Sequence, residues 1–529
     1  MAPPGDPGAT SGDRRRIRFG KRVRMRRVFL VFLAAVTALE ARGADACRSG
    51  LRQRDATAAD GGLADGAYPG MVPDAAVAAL GPASCGTTAC HGGPKAGNRD
   101  VLSFAFTIWA NDDPHAGASE TLHEPRSQRM AALLGIGPAH RAAVCLACHS
   151  MQAETPRPLP HEVLAEGVAC GSCHGDATRW REAHTLPSWK TLSIEERAAL
   201  GYRDLAATSS RVRTCVPCHV GDSTREVDHD LIAAGHPRLA FEFAAYQRLW
   251  PRHWSPAHAA EARLDFGARA WAVGQAETLR AVAALLAVRA ERSAAAAAAR
   301  GPSPHADDTA VWPEFAEFDC QACHRSLGPD SFVGGRAAEW RNPVPGAPAW
   351  QPWQTSAATL VHAGVDRAGP DLAAVARGID TLRSVLAARW AAADPERMAR
   401  LASEARSLEA AAAAAAGELE ARDRIELAIS PDRIDGIVTA RPPDWRSWDS
   451  AVQRVLALEA AAAAGPAALG TWPAGTRSAV PSDTRAALDA VRESLRFPPG
   501  RDGPIGFDPS RFRSLTREVP WPAAEPTSE

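Results

Sequence analysis

The sequence predicts a mainly α chain in two parts: residues 81–330, with little regular sheet, and an α-helical region over 331–529. Three observations predict this. Apolar residues recur at three- and four-residue spacing in several long stretches, as one face of a helix requires. No alternation of apolar and polar residues persists beyond a few positions, so no half-buried strand is expected. Residues 81–330 are rich in Gly, Pro and His and poor in long periodic runs, as expected where aliphatic side chains do not fill much of the interior.

The N-terminus, residues 1–46, reads as an export signal. Arg14 to Arg27 is dense in basic residues, the stretch from Val28 to Leu39 is apolar, and Ala44-Asp45-Ala46 offers a small-residue cleavage site. The apolar run is too short to span a bilayer comfortably, although a retained N-terminal anchor is the alternative reading. Met25 would make a tidier start than Met1. Cys47 sits where a lipoprotein cysteine would, but Asp45 and the missing aliphatic residue upstream make a poor lipobox. Residues 47–80 are Gly-, Ala- and Asp-rich without periodicity and read as a linker. The expected mature protein is periplasmic and soluble.

Residues 81–330 contain four copies of C-x-x-C-H: Cys145, Cys148 and His149; Cys170, Cys173 and His174; Cys215, Cys218 and His219; and Cys320, Cys323 and His324. A stretched version, Cys85, Cys90 and His91, precedes them with four residues between the cysteines. With 11 Cys and 16 His in 529 residues, chance would supply about 0.01 such pentapeptides. The pattern is the attachment signature of c-type haem (heme c): two thiols add to the porphyrin vinyls, and the adjacent imidazole becomes an axial ligand of the iron. A zinc ribbon, a redox dithiol or a disulfide explains the cysteine pairs but not the histidine that follows each one. For Cys85 and Cys90 a disulfide or a zinc ligand pair stays open as an alternative. Five pairs use ten cysteines and leave Cys47 over, so the expectation is five haems.

Between Ala257 and Arg300 the chain turns helical, with Trp271, Ala272, Ala276, Leu279, Val282, Leu285 and Leu286 at helical spacing, and Gly301-Pro302 stops it. Residues 331–354 form a Pro/Trp-rich connection. From about 355 to 425 the pattern is helical again, with Leu372, Val375, Ile379, Leu382 and Leu386 on one face; further helical stretches run near 446–463 and 482–495. This part is expected to form a hairpin or small bundle packed against the haem-binding region. With one histidine, His362, and no cysteine, it brings no haem of its own.

Eleven histidines remain for the far side of the irons, and methionine is scarce, so bis-His ligation should dominate. The preferred distal set is His115, His184, His229 and His236. Pro114 ends an element and leaves the His115 ring projecting; His184 follows His174 closely enough to serve a neighbouring iron. The i, i+7 spacing of His229 and His236 places both on one helix face two turns apart, where they could serve two adjacent haems. His123, His140, His161 and His362 are reserves. His253, His258 and His305 lie in charged or proline-flanked stretches and are expected to be solvated.

The segment Gly167 to Gly175 with Trp180 and His184, the pair Asp228-His229-Asp230-Leu231 and Gly235-His236-Pro237-Arg238-Leu239, and Phe318 to His324 resemble the cytochrome c-554 family of multihaem c-type cytochromes. The resemblance covers about 81–330. It implies a mainly helical multihaem cytochrome c domain, built around closely packed haem pairs with one iron lacking a sixth protein ligand, and an electron-carrying role. The chain departs from that pattern in the Cys85 and Cys90 site, the wide spacing before Cys320 and the C-terminal helical region. The net charge of −1 gives no reason to expect nucleic acid or an anionic membrane surface as partner. The expected partners are periplasmic redox proteins or a quinol-oxidising membrane complex. The alternative function is a multihaem oxidoreductase acting on a small nitrogen or sulfur compound at one five-coordinate haem, and a third is a docking subunit of a membrane complex. No lysine replaces a motif histidine, which removes one known style of nitrite-reducing haem.

Overall fold

A computed structural model describes residues 81–94, 100–151, 161–255, 263, 265–300, 312–318, 370–387, 394–425, 427, 448–464, 482–497 and 507–521. The expected signal (1–46), the linker (47–80) and the Pro/Trp-rich connection (331–354) lie outside these residues. So does the last haem motif, with Cys320, Cys323 and His324. The described chain is mainly α and contains no sheet, only isolated bridge residues at Phe318 and Leu427. No described helix is long and apolar enough to cross a membrane.

The first part is a succession of short helices and 3₁₀ turns: α1 (Ala105–Asp112), α2 (Pro125–Leu134), α3 (Ala143–His149), α4 (His161–Leu164), α5 (Cys170–His174), α6 (Ile194–Ala199), α7 (Thr208–His219), α8 (His229–Ala234) and α9 (Phe243–Leu249). Three of these, α3, α5 and α7, end on a motif histidine. Cysteines three apart share a helix face, so the regular motif presents both thiols on one side with the imidazole at the helix end. Gly175, at φ 82°, stops α5 in a conformation that favours glycine.

The stretched motif is built differently. After a 3₁₀ turn at Pro82–Ser84, the chain closes a loop in which the Cys90 and Gly92 N–H groups donate to the Thr87 carbonyl, each at 2.9 Å, and the His91 N–H donates to the Cys85 carbonyl at 3.2 Å. A Cβ on Gly92 would run into the Gly86 carbonyl oxygen, so the two extra residues are accommodated only because position 92 has no side chain.

The second part is a helical bundle around α10 (Phe266–Arg300), with α11 (Pro370–Ala387), α12 (Pro395–Ala421), α13 (Trp448–Ala464), α14 (Ser482–Glu493) and α15 (Pro509–Arg517). The helical pattern over 355–425 resolves into α11 and α12, the second opened by Asp394, whose carboxylate accepts from Glu396, with Pro395 in the first turn. Trp271, Leu279 and Leu286 of α10 are fully buried, and the Leu372, Val375, Ile379, Leu382 and Leu386 face of α11 is buried too. Buried alanines 405, 412, 415 and 416 let α12 lie close along α10. At the end of α12 the Arg269 guanidinium donates to the carbonyls of Leu419 (2.9 Å), Glu420 (2.8 Å) and Arg422 (2.6 Å) and pairs with Asp265 (2.7 Å). A buried cation thus satisfies carbonyls that the helix itself leaves unpaired.

The bundle grips the motif-bearing part through charge. Glu420 of α12 accepts from the backbone N–H groups of Thr208 (3.2 Å) and Ser209 (2.9 Å), capping α7 from another part of the chain. Arg213 pairs with the buried Glu277, Arg248 with Glu459 and Arg238 with Asp449. One hydrophobic core runs from Val212 and Val216 of α7 through Phe241 and Phe243 into the bundle helices; α3 and its neighbours share only a small satellite core of Leu122, Ala131, Ala139 and Leu146.

Candidate haem-binding site

Cys85, Cys90, Cys145, Cys148, Cys170, Cys173, Cys215 and Cys218 are free thiols. Of the ten cysteines that the motifs supply, Cys320 and Cys323 lie outside the described residues together with their histidine, His324. The fifth attachment point, predicted at Cys320 and Cys323, therefore rests on its sequence motif alone. Thiols of different motifs meet one another. Cys170 hydrogen-bonds with Cys85 and depresses its pKa, while Cys148 is pushed up by its hydrogen bond with Cys218 and by burial. Burial likewise raises Cys215 and Cys145. Zinc needs converging thiolates, and among the described residues no group of three or more His, Cys, Asp or Glu side chains converges on a metal position.

The motif imidazoles of His91 and His149 are held by their Nδ1 atoms. His91 Nδ1 lies 2.6 Å from the Leu102 carbonyl, and His149 Nδ1 2.9 Å from that of Ala118 with Thr121 Oγ1 at 3.2 Å. Such bonds fix the tautomer and leave Nε2 for a metal. Burial lowers the pKa of His174 and of His219 to about 4, which keeps both rings in the neutral form that iron binds.

Across from them stand other histidines. The His91 and His184 ring centroids are 6.2 Å apart with planes at 16°, His219 and His115 are 6.1 Å apart at 87°, and His174 and His253 are 6.3 Å apart at 77°. A metal–imidazole bond is about 2.0 Å and the ring centre lies about 1 Å further out, so two imidazoles trans across one iron have centroids about 6 Å apart. The three pairs have that span. The residues present thus fit the group: two free thiols, an imidazole beside them, and a second imidazole one iron's width away.

His115 is oriented by Asp113, and His184 by the Arg181 carbonyl and the edge of Trp180. Burial lowers the pKa of His236, with the nearby His149 adding to it, and the His236 Nδ1 lies 2.8 Å from the Pro237 carbonyl. His229 does not share a helix face with it. α8 ends at Ala234, and Gly235 at φ 121° turns the chain before His236, because no continuing helix tolerates that left-handed step. The His229 ring packs at 5.4 Å on Phe315, in the segment leading to Cys320 and Cys323. His253 is the residue that sequence reasoning missed. It is enclosed by Trp250 and Trp254 rather than solvated, and its Nδ1 is shut off from water. The signal is the Trp250-Pro251-Arg252-His253-Trp254 run, whose tryptophans mark a buried turn. His123, His140 and His161 face one another at 4.4 Å and 6.4 Å and pair with no motif histidine in these contacts. His258, His305 and His362 lie outside the described residues.

Residues 84–175 match the family described as Cytochrome c554 and c-prime. Over that stretch, under a fifth of the chain, the sequence is similar to cytochrome c554-like multihaem c-type cytochromes. The matched stretch begins one residue before Cys85 and ends one after His174, so it takes in the stretched motif and the first two regular ones. No curated protein and no solved structure matches the chain. The match supports covalently bound haem c and a c-type cytochrome's role in electron transfer.

Proposed function

We propose that this cytochrome is a periplasmic electron relay with five covalent haems, most or all of them ligated by two histidines. The observation that carries the reading is the set of three imidazole pairs at 6.1–6.3 Å, each joining a motif histidine to one outside the motifs. His236 opposite His149, and His229 beside the segment that leads to Cys320, Cys323 and His324, extend it to five. Bound haem would supply one-electron iron chemistry; the chain's own residues set its spacing and shield it. The thiol contacts support a continuous route: Cys85 adjoins Cys170, Cys173 and Cys215 interact, and Cys148 adjoins Cys218. The attachment points thus follow one another as first, third, fourth and second. Periplasmic redox proteins or a quinol-oxidising membrane complex are the partners such a relay would serve.

Low-temperature electron paramagnetic resonance of the oxidised holoprotein tests the reading. Low-spin signals for every iron, with no binding of cyanide or nitric oxide, are expected. A high-spin iron that binds either ligand would instead favour the oxidoreductase reading. Fractionation should recover the haem-bearing protein from the periplasm, and recovery from the cytoplasm would contradict export.

A further inference from the structure

The Nδ1 atoms of His91, His149, His184 and His236 meet backbone carbonyls. His115 differs. Its Nδ1–H donates at 2.9 Å to Asp113 Oδ1, which also accepts from the His115 backbone N–H at 3.0 Å. The other carboxylate oxygen, Oδ2, accepts from the Trp250 indole N–H at 2.8 Å. Asp113 is only 7% exposed, so this is a buried anion with both oxygens committed. Trp250 in turn sets its edge against two histidines, His115 and His253, each at 6.1 Å between centroids.

A carboxylate on the far nitrogen makes an imidazole a stronger donor to a metal than a neutral carbonyl does. The fixed negative charge, poorly screened where it is buried, also favours the more positive ferric state. Both effects lower a reduction potential. We propose that Asp113 is a positioning residue that makes the haem of Cys215, Cys218 and His219 the low-potential step of the relay. This rests on the reading that His115 ligates opposite His219. Cys218 of that attachment point hydrogen-bonds with Cys148, and Cys215 feels the charge of Cys173, so the low step falls between two neighbouring attachment points.

The test is redox potentiometry of mature holoprotein carrying Asp113→Asn, which keeps the size and acceptor oxygen of the side chain but removes its charge. One haem should shift upward by at least a tenfold change in its oxidised-to-reduced ratio, about 59 mV for a one-electron couple. Haem count and low-spin state should be unchanged. The haem that shifts should be the one that His115→Ala turns high-spin. No shift, or an equal shift of all haems, overturns the proposal. Should the Asn variant fail to accumulate, Asp113→Glu decides: with charge retained, the His115 haem stays within tenfold of the parent, and a larger rise overturns the proposal. The underlying reading fails separately, if His115→Ala leaves every haem low-spin.

Discussion

His253 shows how the two tryptophans of its own run decide whether a ring is solvated or enclosed. Arg252 and the prolines nearby point to a solvated ring, whereas Trp250 and Trp254 enclose it and burial lowers its pKa. His253→Ala should therefore convert one low-spin haem to a high-spin or water-ligated one, read from the spectrum, with all thioether attachments intact. An unchanged low-spin population would remove His253 from the ligand set. The motif histidines were legible because covalent attachment imposes a fixed local spacing. The rings that stand across from them were legible only in part, because nothing local ties His184 to His91 or His253 to His174. Glu242 offers a second test. It is buried, accepts from Ala244 (3.1 Å) and Ala245 (2.6 Å), and burial, only partly offset by Arg248, raises its pKa above 4.5. The folded protein then holds this proton more tightly than the unfolded chain, so the contribution is full below pH 4.5 and is lost as pH rises through the folded value. Glu242→Gln should flatten that loss in denaturation curves taken from about pH 4.5 to 8. An unaltered pH dependence would show that the carboxyl does not titrate differently on folding.

Among the elements, the loop of the stretched motif depends most on one position. Gly92→Ala places a methyl group where the Gly86 carbonyl already sits, so the loop must open. One haem fewer, lost from Cys85 and Cys90 alone, is the expected mass result; full occupancy would show that the loop does not need its close approach. Arg269 plays the corresponding part in the bundle. Arg269→Ala strands Asp265 and the carbonyls that close α12, a loss of about 3–5 kcal/mol for a broken buried pair. A denaturation midpoint within error of the parent would contradict it. Helical periodicity located α10, α11 and α12 because their apolar faces are regular. It could not find the break in α8 at Gly235, since seven-residue spacing between His229 and His236 fits a continuous helix equally well.

At the scale of the whole molecule, a mainly α chain was legible from the absence of alternation, but the way its parts join was not. α10 lies before the last haem motif in sequence, yet its packing partners are α12 and α13 as well as α7. Beside the apolar core that the two parts share, the joint is made by ion pairs such as Arg248–Glu459 and by the Glu420 cap on α7, contacts more than 200 residues apart that no local pattern encodes. In the proposed relay each of the five Cys/His clusters holds a haem, the one at Cys320 and Cys323 included. Intact mass of the mature protein, purified from a host with a cytochrome c maturation system, tests it most directly. Five covalent haems are predicted, falling to four in Cys90→Ala and likewise in Cys323→Ala. A stoichiometry of four that Cys90→Ala leaves unchanged would contradict the stretched site, and fewer than four would contradict the account as a whole.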